Sequence, residues 1–270
     1  MMLRAMLQPL RILAAVAVVL AATDARAQGV ERLRLGYDVL FSGVTIAVMD
    51  VDTTVTTTAF EVNSYVTTTG FFNTLMPLTV QARSEGRMAA GVPVPVRHTS
   101  ESRGRSSVRT IRAEYQGGRL ARFERRVNPP DPTVASQISD EERLGTTDPG
   151  TALLGLVLAI AYGRGCTAEV TSFDGRRLHQ IRFVDGGRQR APPSVPVALA
   201  GQTVLCTFSY QSRDGVEPNS PTRMGRAWIG RVRSDGTMAP IRVELETRWG
   251  TAVVQLRALA DTAALNSPIP

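Results

Sequence analysis

The sequence predicts a mainly β protein. It reads as one domain, a strongly curved antiparallel sheet forming an open barrel around one main buried helix. Three observations carry that expectation. Apolar and polar residues alternate with period two over long stretches, as in half-buried strands. Glycine-bearing dipeptides separate these stretches at hairpin spacing, because glycine accepts the positive φ of tight turns. One almost wholly apolar run is bounded by helix caps rather than by turns.

The alternation is clearest near the C-terminus. Ile241, Val243 and Leu245 alternate with Arg242, Glu244 and Glu246, and Ala252, Val254 and Leu256 resume the pattern after Gly250. Phe60, Val62 and Val66 do the same earlier, within a threonine-rich stretch of high strand propensity. Ser42-Gly43, Gly117-Gly118, Asp174-Gly175 and Asp235-Gly236 are the turn signals. Together they place strands at 32–40, 44–55, 57–69, 78–90, 94–103, 107–115, 119–127, 166–174, 177–184, 202–212, 225–233, 238–248 and 251–259.

Asp148 is a good N-cap, Pro149 suits the first helical position, and Thr151 to Tyr162 is apolar before Gly163 and Gly165 end it. A helix apolar all round is buried on most sides, so it plugs the concave side of the sheet. Leu153, Leu156 and Leu158 on this helix, with Trp228, are candidate lining residues of an apolar ligand cavity beneath it. Residues 70–77 read as a short apolar or single helical turn. Residues 128–150 and 186–201 read as loops within one domain, and the tail 266–270 as frayed.

The N-terminus is an address. Arg4 and Arg11 precede an apolar run from Ile12 to Ala22, followed by Ala25-Arg26-Ala27, a small-x-small cleavage pattern. Residues 1–27 are therefore expected to be a Sec-type signal peptide, and 28–270 a periplasmic protein without a lipid anchor. The chain contains 31 basic residues, all arginine, against 24 acidic ones. Having no lysine, two histidines and two cysteines, it excludes P-loops, Schiff-base lysines, Ser-Lys dyads and multi-cysteine zinc sites. No cofactor or metal site is expected.

In an oxidising compartment, Cys166 and Cys206 are a candidate disulfide. A simple meander argues the other way. Strand 177–184 would separate the two cysteine strands and hold them about 10 Å apart, beyond the reach of about 7 Å that a bridge allows. Either the curvature brings them together, or the bridge is absent.

Charge is unevenly spread. Residues 97–126 hold nine arginines (Arg97, Arg103, Arg105, Arg109, Arg112, Arg119, Arg122, Arg125 and Arg126) against Glu101, Glu114 and Glu124, a net +6. Most read as the wet face of a sheet. Arg109 shares a face with Ile111 and Ala113, and Arg125 with Phe123 and Val127, so both are candidates to project inward as anion anchors; the alternative is that they sit at strand ends and snorkel outward. His98 and His179 read as solvated strand residues, and Asp140-Glu141-Glu142 as a solvated loop triplet. Asp50 and Asp52 share one strand face.

The order of several short features resembles an uncharacterised family of proteobacterial periplasmic proteins of unknown function. They are Gly36-Tyr37, Asp148-Pro149 with its apolar run, Cys166, Phe173-Asp174-Gly175-Arg176-Arg177, Cys206, Trp228, Pro240-Ile241-Arg242-Val243 and Gly250. Such families are similar in architecture to the lipoprotein carriers LolA and LolB. That likeness implies a curved sheet round helices, with a cavity for acyl chains, and no known catalytic residue. The expected function is thus non-enzymatic: an envelope protein binding a lipid or lipoprotein acyl chain in an apolar cavity. The alternative is an interaction or scaffold module that docks an anionic envelope component or acidic protein on its Arg-rich sheet face, without a cavity. Nucleic acid is not an expected partner, since no aromatic run is interleaved to stack bases. A hydrolase ranks last for want of a nucleophile–base pair.

Overall fold

The computed structural model describes residues 31–130, 138–175, 177–195, 201–213 and 221–259. The expected signal peptide (1–27), Arg176 and the C-terminal tail lie outside them. The thirteen strands are β1 (Glu31–Phe41), β2 (Val44–Val55), β3 (Ala59–Thr68), β4 (Leu78–Ala89), β5 (Val92–Gly104), β6 (Val108–Gln116), β7 (Arg119–Asn128), β8 (Ala168–Phe173), β9 (Leu178–Arg190), β10 (Gln202–Arg213), β11 (Arg223–Arg231), β12 (Met238–Thr247) and β13 (Gly250–Leu259). The helices are α1 (Gly70–Leu75), α2 (Asp140–Arg143) and α3 (Pro149–Ala161). Every expected strand is present.

All thirteen strands form one antiparallel sheet in the order β7-β6-β5-β4-β3-β2-β1-β13-β12-β11-β10-β9-β8. The first and last strands pair at its middle, from Leu35 opposite Leu259 to Phe41 opposite Ala252. The chain meanders outward to β7, crosses by α2 and α3, and meanders back from β8.

Edge strands β7 and β8 share no ladder, yet side chains join them. The rings of Phe123 and Phe173 lie 5.0 Å apart. The guanidinium of Arg143 sits 5.4 Å from each ring, and its Nη2 donates to the Ile138 carbonyl. Gly175 completes the seam: its φ is +86°, and a Cβ there would meet Ile111 Cδ1 at 2.4 Å. The outer edge of β8 is covered by Thr147, whose backbone exchanges hydrogen bonds with Thr171 and Phe173 (3.1 and 2.9 Å). The curved sheet is therefore barrel-like but not closed by hydrogen bonds, and its exposed edge is blunted.

Helix α3 plugs the concavity. Asp148 caps it, accepting from Thr151 N (2.9 Å) and Thr151 Oγ1 (2.6 Å). Leu154 packs against Phe60 and Val62 of β3, while Leu156 and Ile160 pack against Cys206, Phe208, Ala227 and Ile229 of β10 and β11. One apolar helix thus fills the space between the two halves of the sheet. A second core cluster joins Leu35, Tyr37, Ile241 and Leu256 to Val195. Burial raises the Tyr37 phenol above its ordinary pKa, and its hydroxyl donates to Pro240 O at 3.1 Å.

Three expectations are revised. Strand β8 begins at Ala168, so Cys166 lies in the connection from α3. Strand β9 does separate β8 from β10, but Cys166 is outside the sheet plane and reaches Cys206 across it. Their disulfide has a Cα separation of 6.0 Å. The Asp140 triplet forms helix α2 rather than loop, because Ser139 and Glu142 make a reciprocal capping box. Its two hydrogen bonds from Ser139, aided by Arg213, lower the Glu142 pKa. Finally, β9 continues to Arg190 into the segment read as loop.

Candidate functional site

Pairing registers define three rows of inward side chains across β3 to β7. The first is Val62, Ser84, His98, Ala113 and Phe123. The second is Ser64, Ala82, Ser100, Ile111 and Arg125. The third is Val66, Val80, Ser102, Arg109 and Val127. The rows arise because side chains two apart share a face and cross-strand partners stand side by side. Their members on β3 to β6, apart from Val66 and Ala113, wall a cavity of about 290 Å³, roofed by Pro149 and Gly150 at the start of α3 and flanked by Asp174. Ser64, Ser84, Ser100 and Ser102 supply hydroxyls, Arg109 a cation, and Val62, Val80, Ala82 and Ile111 apolar wall.

At the roof lies a buried polar clasp. Ser84 Oγ donates to Asp148 Oδ1 at 2.5 Å and lies 3.0 Å from His98 Nδ1. Asp148 is fully buried and His98 only 5% exposed. Burial lowers the His98 pKa, opposed by the nearby Asp148 and Asp174 carboxylates, so the imidazole is neutral at pH 7. This corrects the expectation that His98 is solvated. The residue types are those of a serine-hydrolase triad, but the order is not. In a triad the imidazole stands between acid and serine. Here acid and imidazole both meet at the serine, and the acid is already the helix cap. The arrangement fastens α3 to the sheet.

His179 also departs from its expected solvation. Its Nε2 lies 2.9 Å from Asp174 Oδ2, its Nδ1 lies 2.8 Å from the Tyr210 hydroxyl, and its side chain is 16% exposed. The acid flanking the cavity is thus held by a histidine.

Eight of the nine arginines divide between the two faces, and Arg105 lies in the β5–β6 turn. Arg109 and Arg125 stand on the inner face, both half-buried. Among the described residues, no carboxylate pairs with Arg109. On the outer face Arg97 pairs with Glu85, Arg103 with Glu101, and Arg122 and Arg126 with Glu124. Asp52 likewise pairs with Arg32 on that face. The remaining site candidates fall elsewhere. Leu153 is 44% exposed, Leu156 is core, and Leu158 packs beside Leu154. Trp228 is buried on the face opposite Ala227 and Ile229, with Arg226 5.4 Å over its ring. None of these four lines the inner cavity. The cavity serines had a readable signal: Val80, Ala82 and Ser84, like His98, Ser100 and Ser102, lie in one strand phase.

Among the described residues there is no cluster fit to hold a metal ion, and no helix is long and apolar enough to cross a membrane. A family model described as "Protein of unknown function (DUF3108)" matches residues 36–257. The chain belongs to that family. No curated protein matches it. A solved structure, a β-barrel-like protein of domain of unknown function DUF1849 from Brucella abortus, is similar with a TM-score of 0.51 and 12% identity. The match covers 86% of this chain and 98% of that one. At that identity the likeness concerns the fold, and it agrees with a curved, barrel-like sheet.

Proposed function

We propose that this protein is a non-enzymatic binding protein of the cell envelope that holds an acyl-chain amphiphile by its anionic end. The observation that carries the reading is Arg109. It projects into the cavity beside Ser100 and Ser102, and among the described residues no carboxylate forms an ion pair with it, although Asp174 lines the same cavity. A carboxylate or phosphate among hydroxyl donors is the natural counterpart of a guanidinium. The apolar wall beside it suits the first methylenes of a chain. The cavity's volume is close to the roughly 300 Å³ at the lower end of ligand pockets, which suits a headgroup and chain start rather than a whole lipid. The periplasmic location rests on the signal-peptide pattern of residues 1–27.

The reading in which an Arg-rich sheet face docks an acidic protein has less support, since four of the six outer-face arginines already have carboxylate partners. Native mass spectrometry of the exported protein, followed by lipid extraction, tests the proposal. A bound acyl species that is lost in Arg109→Gln supports it. A ligand-free mass, with no uptake of added fatty acid, contradicts it.

A further inference from the structure

Helix α1 is a six-residue helix, GFFNTL, that buries none of its side chains. Phe71 is 72%, Leu75 54% and the following Met76 61% exposed. A helix normally justifies its apolar residues by burial, and this one does not. The registers show what surrounds it. Thr69 N donates to Ile46 O, so α1 stands beside the start of β2, where Val44 is 56% exposed. Across the β1–β2 turn, Ser42 N donates to Thr251 O, which brings up the β12–β13 turn and Trp249, also 72% exposed. Exposed apolar residues thus line one rim of the curved sheet.

Among the described residues, the rim carries one exposed carboxylate, Glu246 near the β12–β13 turn, and two arginines, a positive balance. Arg105 reaches under α1, and its Nη2 donates to the carbonyls of Thr74 and Leu75 at 2.5 and 3.1 Å. Arg248 lies 4.5 Å over the ring of Trp249. Neither has a carboxylate partner among the described residues, so both present their charge beside the apolar side chains. The rim lies at one end of the strands that wall the cavity. The row Val66, Val80, Ser102 and Arg109 is the one nearest this end of the strands, while the roof at Pro149 and Gly150 lies deeper.

We propose that this rim docks on a membrane surface bearing anionic headgroups, with Phe71, Leu75, Met76 and Trp249 entering the interface and Arg105 and Arg248 meeting phosphates. Exposed aromatic and long aliphatic side chains flanked by arginine are the composition of an interfacial contact. Two arginines without carboxylate partners complement an anionic lipid surface, and their attraction is screened by salt. The inference does not depend on what occupies the cavity.

Flotation of the mature protein with vesicles of phosphatidylcholine, with and without phosphatidylglycerol, tests it. The expected result is flotation with the phosphatidylglycerol vesicles, weakened several-fold by raised salt and lost in Phe71→Ser/Met76→Ser and in Trp249→Ser. In Trp228→Phe, Trp249 is the sole tryptophan, and its emission should shift to the blue on binding. Absence of flotation overturns the proposal. So does flotation that survives the rim substitutions. Rim-dependent dimers in size exclusion without vesicle binding also overturn it, assigning the rim to a second copy of the chain. Arg109→Gln should leave flotation intact, which separates this result from the cavity reading.

Discussion

Ser84 Oγ lies 2.5 Å from Asp148 Oδ1, joining residues 64 apart in the chain and fastening the first turn of α3 to the inner face of the sheet. The same carboxylate oxygen caps Thr151 N at 2.9 Å. One buried acid therefore starts the helix and fixes where it enters the barrel. Because the clasp also roofs the cavity, helix position and cavity shape depend on each other.

Ser84→Ala removes that donor and leaves a fully buried carboxylate oxygen with fewer partners. A loss of about 1–3 kcal/mol is expected, as for a buried charged acceptor deprived of a partner. Urea unfolding measures it. A change below about 0.5 kcal/mol, the range of ordinary surface substitutions, shows that the clasp does not hold the helix.

His98 predicts a pH dependence. Its pKa is lowered in the folded protein, mainly by burial. The unfolded chain therefore binds more protons just below pH 6.5, the ordinary histidine value. Stability is full above that pH and falls as pH drops from it toward the lowered folded value. The slope is at most about 1.4 kcal/mol per pH unit, the cost of one proton. Denaturation midpoints measured across this window in wild type and His98→Gln should differ, with the variant flatter. Equal slopes assign the dependence to other groups.

The disulfide joins the end of α3 to β10 and closes a loop with a sequence separation of 40. In the loop-entropy account such a bridge contributes about 4 kcal/mol. Cys166→Ala/Cys206→Ala should therefore lower the denaturant midpoint substantially, with reduction of the wild type giving a comparable loss. Free thiols in the protein as exported contradict the bridge.

The seam is the sheet's weak line, since β7 and β8 share side-chain contacts but no ladder. Phe173→Ala removes the ring that packs at a tilt against Phe123 and supports Arg143. A loss of about 3–5 kcal/mol is expected for a buried phenylalanine. Hydrogen exchange should rise in β7 and β8 before the β1–β13 centre. Uniform loosening along the sheet argues that the seam is not a separate unit.

Most of the fold was legible because strand alternation and hairpin glycines are local signals. So was α3, whose cap, first-turn proline and terminal glycines all lie within its own segment. What escaped depends on partners distant in the chain. His98 looked solvated because its neighbours Arg97 and Thr99 are polar, yet its phase is that of Ser100 and Ser102 on the inner wall. Its partners Ser84 and Asp148 come from another strand and a helix. The cysteine pair looked out of reach because Cys166 was placed in a strand, whereas it crosses above the sheet as the chain leaves α3. Trp228 looked like a cavity residue because it is large and apolar. Register, not composition, sends it to the face opposite the helix. Phase put Arg109 and Arg125 on the inner face but left open whether they snorkel outward from strand ends, because a long side chain's direction depends on what surrounds it in the fold.

The central claim is that Arg109 anchors an anionic amphiphile inside the barrel. The most direct measurement is calorimetric titration of delipidated protein with dodecanoate, repeated with Arg109→Gln and with dodecanol. Dodecanoate should bind saturably, weakened about tenfold or more in the variant, which is the loss of one charge-assisted contact of about 1.4 kcal/mol. The uncharged dodecanol should bind more weakly, by a margin that Arg109→Gln removes. Equal affinity for dodecanoate in wild type and variant contradicts the account, as does the absence of binding to either.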